Sequence, residues 1–421
     1  MNLSDLNIKF DKSTLTNGSN LFVFSKKGAP ITIRTIFWAG ARFGKIQGIS
    51  HFLEHMIVAG SKKYPTKDLL SARLENIGGS FGAYTDSDFL TIDINIADIQ
   101  DLSVGLEILD EILHSPLFDD KTIENERKAI LSEIGKKRFN PSQNIFDVSK
   151  RIFYQETVLK EPVLGTNDSI SSITKNDLLE SFEQLISRNK PTVIISGDVT
   201  SAEILPLLNL ILKNNINKPK IPLEILPIIN RKKIEIEKYE GEHSNIRVGF
   251  RVKFLNPKEE RISQILATLL ANSKSSILVN ELRYRRGLVY DLGASVSFSI
   301  DRSIFTINSS TNPKNIQNVL DIIKDEISKV KEKGISQKQL DFLKNKLTKS
   351  KRFGLQTTQQ IIDFHSQNIM INENNPILLD DMMSILEKIT LEEVNLTIKD
   401  IFDFDNFFIA ICGNVNEEDV K

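Results

Sequence analysis

Thr192-Val-Ile-Ile-Ser-Gly197-Asp-Val199 is typical of a buried strand that runs into a turn, and a similar sequence, Phe408-Ile-Ala-Ile-Cys-Gly413-Asn-Val415, stands near the end of the chain. Upstream of each lies an Ile-Thr pair whose threonine, Thr174 or Thr390, can cap a helix. The spacing is the same in both places, since 197 − 174 = 23 and 413 − 390 = 23. The repetition indicates an internal duplication.

Two further pairs of segments repeat at nearly the same distance. Lys137-Arg-Phe139 resembles Lys351-Arg-Phe353, where 353 − 139 = 214, and segment 31–38 resembles 245–252, where 245 − 31 = 214. We therefore predict two similar tandem units, at residues 1–217 and 229–421. Three prolines in Lys218-Pro-Lys-Ile-Pro-Leu-Glu-Ile-Leu-Pro227 forbid a regular helix, so residues 218–228 are predicted to be an extended linker.

The hydrophobic pattern indicates an α+β fold in each unit. Residues 98–115 and 121–138 carry apolar side chains at helical spacing, whereas 31–38, 89–96 and 292–298 alternate apolar and polar residues. We expect two similar α/β-sandwich units, each with a mostly antiparallel sheet covered by helices on one face.

Composition excludes several classes of protein. Lys+Arg number 54 and Asp+Glu 55, so a net charge of -1 gives no footprint for nucleic acid. No apolar run reaches the roughly 18–20 residues of a membrane span, and residues Met1 to Lys9 lack the apolar core of a signal peptide. With Cys412 as the only cysteine, we expect a cytoplasmic protein that binds neither nucleic acid nor membrane.

A metal site is predicted by Gly48-Ile-Ser-His51-Phe-Leu-Glu54-His55-Met. Ser50 can cap a helix on which His51, Glu54 and His55 share one face. Two imidazoles four residues apart can hold one Zn²⁺, and the carboxylate between them can take a proton from water. The alternative is two histidines in core or surface positions. The chain has only 5 histidines, which argues against that alternative.

The best candidates for a further ligand are Glu126 and Glu133, which are two helical turns apart. A charge-rich helix can hold glutamates for no chemical reason, but the duplication argues otherwise. At an offset of 214 the corresponding residues are Leu340 and Leu347, and the segment 264–270, which answers the histidine helix, has neither His nor Glu. One copy therefore carries chemistry where the other carries core residues.

On these motifs the chain resembles the pitrilysin (M16) family of metallopeptidases, which includes insulin-degrading enzyme and the mitochondrial processing peptidases. The resemblance implies a zinc-dependent endopeptidase that cleaves short or unfolded peptides and holds one Zn²⁺ per chain. It implies the ligands His51, His55 and Glu133, with Glu54 as the base and Glu126 supporting the site.

The resemblance extends to two substrate-binding segments. Residues 74–85 resemble the family's edge strand, which implies that Gly82, Ala83, Tyr84 and Thr85 pair with a peptide backbone. The family usually has Asn or Ser where Gly82 stands, and a hairpin turn at Gly78-Gly79 explains the segment equally well. A second departure is Arg42-Phe-Gly44, because many members carry a glutamate in that loop.

The second segment is Glu281-Leu-Arg283-Tyr-Arg-Arg286-Gly-Leu-Val-Tyr290, which resembles the family's arginine/tyrosine segment. That resemblance implies that Arg283 and Tyr290 hold substrate and stabilise its developing oxyanion, with Arg286 as a third candidate. The alternative is a solvated basic helix end followed by a strand.

Two units with both motifs resemble the short bacterial members, which implies a homodimer. Three alternatives stay open: a non-catalytic scaffold subunit, a protein that binds peptide or stores metal, and a peptidase that depends on a partner chain.

Overall fold

The computed structural model describes residues 2–155, 157–213, 233–252 and 255–420, which divide into two compact units. The first unit consists of the described residues within Met1–Gly135, Pro162–Pro222 and Arg352–Pro376. The second consists of those within Lys136–Glu161, Leu223–Lys351 and Ile377–Lys421. Each unit is built from three separate stretches of the chain.

Each unit contains one sheet. The strands are β1 Lys9–Thr14, β2 Asn20–Ser25, β3 Ile31–Phe37, β4 Ser80–Thr85, β5 Leu90–Ile96, β6 Thr192–Gly197, β7 Ile234–Lys238, β8 Ser244–Val252, β9 Val289–Phe298, β10 Ser303–Thr311 and β11 Phe407–Gly413. The sheet orders are β1-β2-β6-β3-β5-β4 and β7-β11-β8-β10-β9. Apart from the parallel pairs β2/β6 and β7/β11, neighbouring strands are antiparallel.

The second sheet has the same strand order as the first, but without a counterpart of β1. β7 begins 234 − 20 = 214 residues after β2, and β11 begins 407 − 192 = 215 residues after β6. The predicted α+β fold with two similar, mostly antiparallel units is therefore confirmed.

The helices also follow in two similar sets. They are α1 Ile49–Ile57, α2 Lys67–Glu75, α3 Leu102–His114, α4 Asp120–Arg138, α5 Pro141–Phe153, α6 Asn167–Ser172, α7 Lys175–Arg188, α8 Ser201–Ile211, α9 Pro257–Leu270, α10 Ile316–Lys333, α11 Gln337–Gly354, α12 Thr358–Ile371, α13 Leu379–Lys388 and α14 Leu391–Ile401. No helix in the described ranges is long and apolar enough to cross a membrane.

Two helices belong to the unit that their position in the sequence does not suggest. α5 packs on β8 and β11 in the second unit, whereas α12 packs on β3 and β6 in the first. The contiguous division at 217 and 229 differs from the structural units in these two stretches, and the predicted linker 218–228 lies outside the described residues. Sequence periodicity shows that both helices have apolar faces, but it does not show which sheet each covers.

Helices cover both faces of the first sheet, not one as expected. All of β3 is buried, including its polar residues Thr32 and Arg34. The Thr32 hydroxyl lies 2.9 Å from the Thr358 hydroxyl, and the Arg34 guanidinium lies 2.7 Å from the Asp363 carboxylate, both on α12. The polar side of the alternating pattern therefore faces a polar helix rather than water.

Candidate metal centre and peptide-binding residues

The helix α1, which carries the two histidines, begins at a glycine. Gly48 has φ 82, and a Cβ there would lie 2.7 Å from the Leu164 carbonyl oxygen, so both conformation and space require glycine. Ser50 was predicted to cap this helix, and that prediction is wrong. Its side chain lies in the first turn and donates instead to the Gly40 carbonyl oxygen at 3.0 Å.

α1 is held against α4, the helix that carries the two glutamates. Ile49, Phe52 and Met56 share a buried cluster with Ile123 and Ile130 of α4. This apolar contact sets the side of α4 that faces the histidines.

Arg127, between the two glutamates in sequence, reinforces that packing. Its guanidinium donates to the carbonyl oxygens of Ile170 and Ile173 at the end of α6 and lies 5.2 Å from the Phe52 ring centroid. Sequence reasoning missed Arg127, because no local pattern shows that its partners are main-chain carbonyls more than forty residues away.

The structure brings His51, His55 and Glu133 together. The Glu133 Oε2 atom lies 3.7 Å from His51 Nε2 and 3.8 Å from His55 Nε2, and one potential ligand atom from each residue lies within 4.8 Å of the others. Both distances are longer than a hydrogen bond. His51 is buried, whereas Glu133 is 47% exposed, so the cluster opens to solvent.

This donor set fits a catalytic zinc ion. Nitrogen and carboxylate ligands at about 2.0–2.2 Å from a tetrahedral zinc would lie roughly 3.4 Å apart, close to the observed spacing. Two histidines and one glutamate leave a fourth position open for water, as a catalytic site requires.

Glu126 supports the cluster from the other side of His55. Its Oε2 lies 2.8 Å from His55 Nδ1, which leaves the Nε2 lone pair of that ring free to bind a metal. The two glutamates predicted as a pair thus occupy different positions around the same imidazole.

Glu54 lies beside the cluster, and its Oε2 is buried without a hydrogen-bond partner among the described residues. Burial raises the pKa of the Glu54 carboxyl above its usual value, and the charge of Glu133 adds to that rise, while Thr85, His55 and Lys67 oppose it. A buried carboxylate oxygen in this position is suited to accept a hydrogen bond from a water molecule or a ligand. A water bound at the neighbouring cluster would supply the missing donor.

β4 forms one edge of the first sheet and packs against α1. Phe81 and Ala83 face the core, whereas the ring of Tyr84 lies over the Arg34 guanidinium, 5.4 Å from its carbon. β4 begins directly after the turn at Gly78, whose φ is 68. The strand and the glycine turn, considered as alternatives, are both present.

The two departures from the family pattern differ in their structural setting. A Cβ at Gly82 would meet nothing within 4 Å, so the structure does not require glycine there. A Cβ at Gly44 would lie 2.8 Å from Ile49 Cγ2, so the larger glutamate does not fit without a shift of α1. The packing of Ile49 accounts for the glycine at position 44.

In the second unit, the arginine/tyrosine segment has three distinct environments. Val279–Arg285 forms a short π-helical segment, and Arg286 pairs with Glu281 at 2.7 Å. Arg283 is exposed and has no ion pair with any residue in the described ranges, and Tyr290 is 81% exposed at the start of β9. Of the three candidates, Arg283 and Tyr290 are therefore the ones available to a ligand.

Comparison with known families matches two parts of the chain to two family descriptions. Residues 32–167, which include the metal-ligand candidates, match the family described as Insulinase (Peptidase family M16). Residues 172–347, which include Arg283 and Tyr290, match the family described as Peptidase M16 inactive domain.

Individual relatives and a solved structure are also similar to the chain. The chain is 24% identical over 375 residues to the protein named uncharacterized zinc protease YmxG of Bacillus subtilis, covering 88% of this chain and 90% of the relative. It is 32% identical over 193 residues to the human mitochondrial-processing peptidase subunit beta, covering 45% of this chain and 39% of that protein. The crystal structure of a protease from Helicobacter pylori has the same fold, with a TM-score of 0.87 and 19% identity, covering 96% of this chain and 99% of that one. Taken with the repeated two-sheet architecture, these matches show that the chain belongs to the M16 peptidase family.

Proposed function

We propose that this protein is a zinc-dependent endopeptidase that hydrolyses short or unfolded peptides. The observation that carries the proposal is the convergence of one potential ligand atom each from His51, His55 and Glu133 within 4.8 Å of one another. The names of relatives support the metal, since several are called zinc proteases. One zinc ion per chain corresponds to one such cluster in the described ranges.

The residues around the cluster have separate tasks. A zinc ion held by His51, His55 and Glu133 would polarise a water molecule and lower its pKa to about 7. Glu54 accepts a proton from the attacking water as its oxygen adds to the scissile carbonyl carbon, and donates that proton to the amine nitrogen as the C–N bond breaks. Glu126 orients the His55 ring and fixes its tautomer.

Substrate binding is assigned to main-chain pairing and to two exposed donors. An extended peptide adds to the edge of β4 along Gly82, Ala83, Tyr84 and Thr85, next to α1. Arg283 and Tyr290 donate hydrogen bonds to the scissile carbonyl oxygen as it becomes negative. Both side chains are exposed and carry suitable donors.

The proposal includes a homodimer in the cytoplasm, where a single buried cysteine needs no disulfide partner. The second candidate is a subunit that needs a different partner chain or has lost catalysis. The relative named mitochondrial-processing peptidase subunit beta favours this candidate, because its name describes one subunit of an assembly. Against it, the ligand candidates, the base candidate Glu54 and the exposed Arg283 and Tyr290 are all present in one chain.

The test is hydrolysis of a library of quenched peptides by the purified chain, before and after chelation and after zinc is returned. We expect activity that disappears with the chelator and returns with zinc. Glu54→Gln should keep the wild-type zinc content and lose turnover, whereas His55→Ala should lose zinc. His114→Ala, on α3, is the matched control and should retain both. Full turnover by Glu54→Gln contradicts the assigned mechanism.

Whether the protein needs a different partner chain is tested by the activity of the folded, zinc-loaded chain alone. A zinc-loaded, folded chain that cleaves no peptide favours the subunit alternative. Light scattering during size-exclusion chromatography then shows whether the chain is a monomer or a homodimer.

A further inference from the structure

The loop before α1 is joined to the turn between β4 and β5 by main-chain hydrogen bonds. The amides of Gly40, Ala41 and Arg42 donate to carbonyl oxygens in residues 86–88 at 2.9 to 3.0 Å. The Asp86 carboxylate in turn accepts from the amides of Asp88 and Phe89 at 2.6 and 2.7 Å, which fixes the turn itself. The loop and the turn therefore form one hydrogen-bonded body.

A buried ion pair lies across that body. The Arg42 Nη1 atom is 3.0 Å from Asp88 Oδ1, and the two side chains are 0% and 8% exposed. Removing charges from water is unfavourable, so a buried pair contributes little to net stability even when it is well formed. Such pairs are better suited to holding one arrangement of two elements against alternatives, because removal of one partner leaves an uncompensated charge.

The same loop contacts the helix of the metal cluster. The Ser50 hydroxyl donates to the Gly40 carbonyl oxygen at 3.0 Å, and Ser50 precedes His51 in α1. A Cβ at Gly40 would lie 2.4 Å from the main-chain carbon of Asp88, so only glycine permits this close approach. A continuous set of contacts thus runs from the end of β4 through the turn and Gly40 to the first turn of α1.

We propose that Arg42 and Asp88 are positioning residues that hold β4 in one position relative to α1. They thereby determine which peptide bond of a substrate paired with β4 reaches Glu54. The inference rests on the proposed peptidase function and on substrate pairing with β4. If a substrate strand pairs with β4 one residue further along, the substrate moves by about 3.3–3.4 Å and its side chains turn to the opposite face. Neither Arg42 nor Asp88 is assigned contact with the reacting atoms.

A purely structural role makes different predictions from a positioning role. If the pair only stabilised the fold, its loss would reduce the amount of folded, zinc-loaded protein while each surviving molecule cut the same bond at the same rate. A positioning pair instead changes the rate per zinc-loaded molecule and the choice of bond. Misplacement of reacting groups by about 1 Å can reduce the rate by about 100-fold.

The experiment compares the full chain with the variants Arg42→Met, Arg42→Lys and Asp88→Asn. Lys45→Met is the matched control, because Lys45 is in the same loop but pairs with Glu180 at the surface, where the two side chains are 65% and 53% exposed. The measurements on each zinc-loaded protein are zinc content, amide hydrogen exchange in residues 80–89 and 49–57, kcat and KM for a defined unstructured peptide, and the bonds cut in that peptide.

We expect Arg42→Met and Asp88→Asn to keep wild-type zinc content and slow exchange in 49–57, while exchange in 80–89 becomes faster. Their kcat should fall roughly 10- to 100-fold with a smaller change in KM, and a neighbouring peptide bond should be cut in addition. Arg42→Lys, which keeps the charge, should restore much of the wild-type pattern, and Lys45→Met should match the wild type.

Two results overturn the inference in different ways. If the wild type cuts peptides and the Arg42 and Asp88 variants show unchanged exchange in 80–89 and an unchanged cleavage pattern, the positioning role is wrong and the peptidase function stands. If the zinc-loaded wild type cuts no peptide, the proposed function fails, and the inference fails with it.

Discussion

At the scale of single residues, Glu126 and Glu133 show how two equal side chains on one helix take different roles. Glu133 faces both imidazoles, whereas Glu126 bonds Nδ1 of His55 alone. We predict that Glu133→Gln removes a ligand and lowers zinc affinity more than Glu126→Gln does. The latter, acting through His55, should lower it about 10- to 100-fold. Competition with a fluorescent zinc chelator measures both affinities.

Glu124→Gln is the control for this pair, because Glu124 is 58% exposed on the same helix and pairs only with Arg127 in the contacts described. Its zinc affinity should match the wild type, since Arg127 keeps its two carbonyl contacts. Equal affinities for the Glu126 and Glu133 variants would contradict the division of roles.

The sequence allowed the residues on α1 to be predicted, because helical periodicity alone places His51, Glu54 and His55 on one face. Glu126 and Glu133 were singled out as a pair by the leucines of the second copy, whereas their separate roles were implied only by the family resemblance. The cap predicted for Ser50 was wrong, because only the tertiary structure shows that the Gly40 carbonyl oxygen lies within reach of its hydroxyl. The partner of Arg42 was likewise not visible in the sequence pattern.

At the scale of elements, Gly82 of β4 and Gly40 of the loop before α1 should tolerate substitution differently. Gly82 does not have a left-handed φ and has open space at its Cβ position, so Gly82→Ala should raise the free energy of unfolding by about 0.4–1 kcal/mol. Gly40→Ala forces a Cβ against the main chain of Asp88 and should lower it by about 1–3 kcal/mol. Urea denaturation of the two variants measures both changes.

The two glycine variants serve as controls for each other, because both add one methyl group to the first unit. A loss of stability in Gly82→Ala as large as that in Gly40→Ala would show that β4 does require glycine. The family's usual Asn or Ser should behave like alanine at position 82, which allows the preference for glycine there to be tested against peptide binding rather than folding.

Most elements follow from local pattern, whereas their surroundings do not. The periodic segments 98–115 and 121–138 form α3 Leu102–His114 and α4 Asp120–Arg138, and the alternating segment 31–38 forms β3. The expectation of one solvated sheet face failed because α12, more than three hundred residues away, covers that face. Its Thr358 and Asp363 contact Thr32 and Arg34 of β3, which also bond Asn95 and Asp93 of β5. The alternation of apolar and polar residues shows that one face of a strand is polar, but it does not show whether water or a helix covers that face.

At the scale of the whole molecule, duplication could be predicted from four repeated segments, because the copies keep similar segments at offsets of 214 to 216 residues. The assignment of α5 to the second unit and α12 to the first could not. Both helices follow long helices, α4 and α11, that continue from one unit into the other. A contiguous boundary drawn on the sequence therefore separates each sheet from a helix that covers it.

That arrangement predicts that neither sequence half folds by itself. A fragment of residues 1–217 lacks α12 and leaves Thr32 and Arg34 without Thr358 and Asp363. A fragment of residues 229–421 lacks α5, whose Val148, Ile152 and Phe153 share a buried cluster with Phe408, Ala410 and Cys412 of β11. We expect each fragment to bind a hydrophobic dye, to unfold without a cooperative transition in urea and, for 1–217, to bind zinc less tightly than the full chain.

The control is the full chain cut after folding at a protease site placed within 218–228, which retains every described element and should keep wild-type zinc affinity. A cooperatively folded 1–217 fragment with that same affinity would show that the first unit does not need α12.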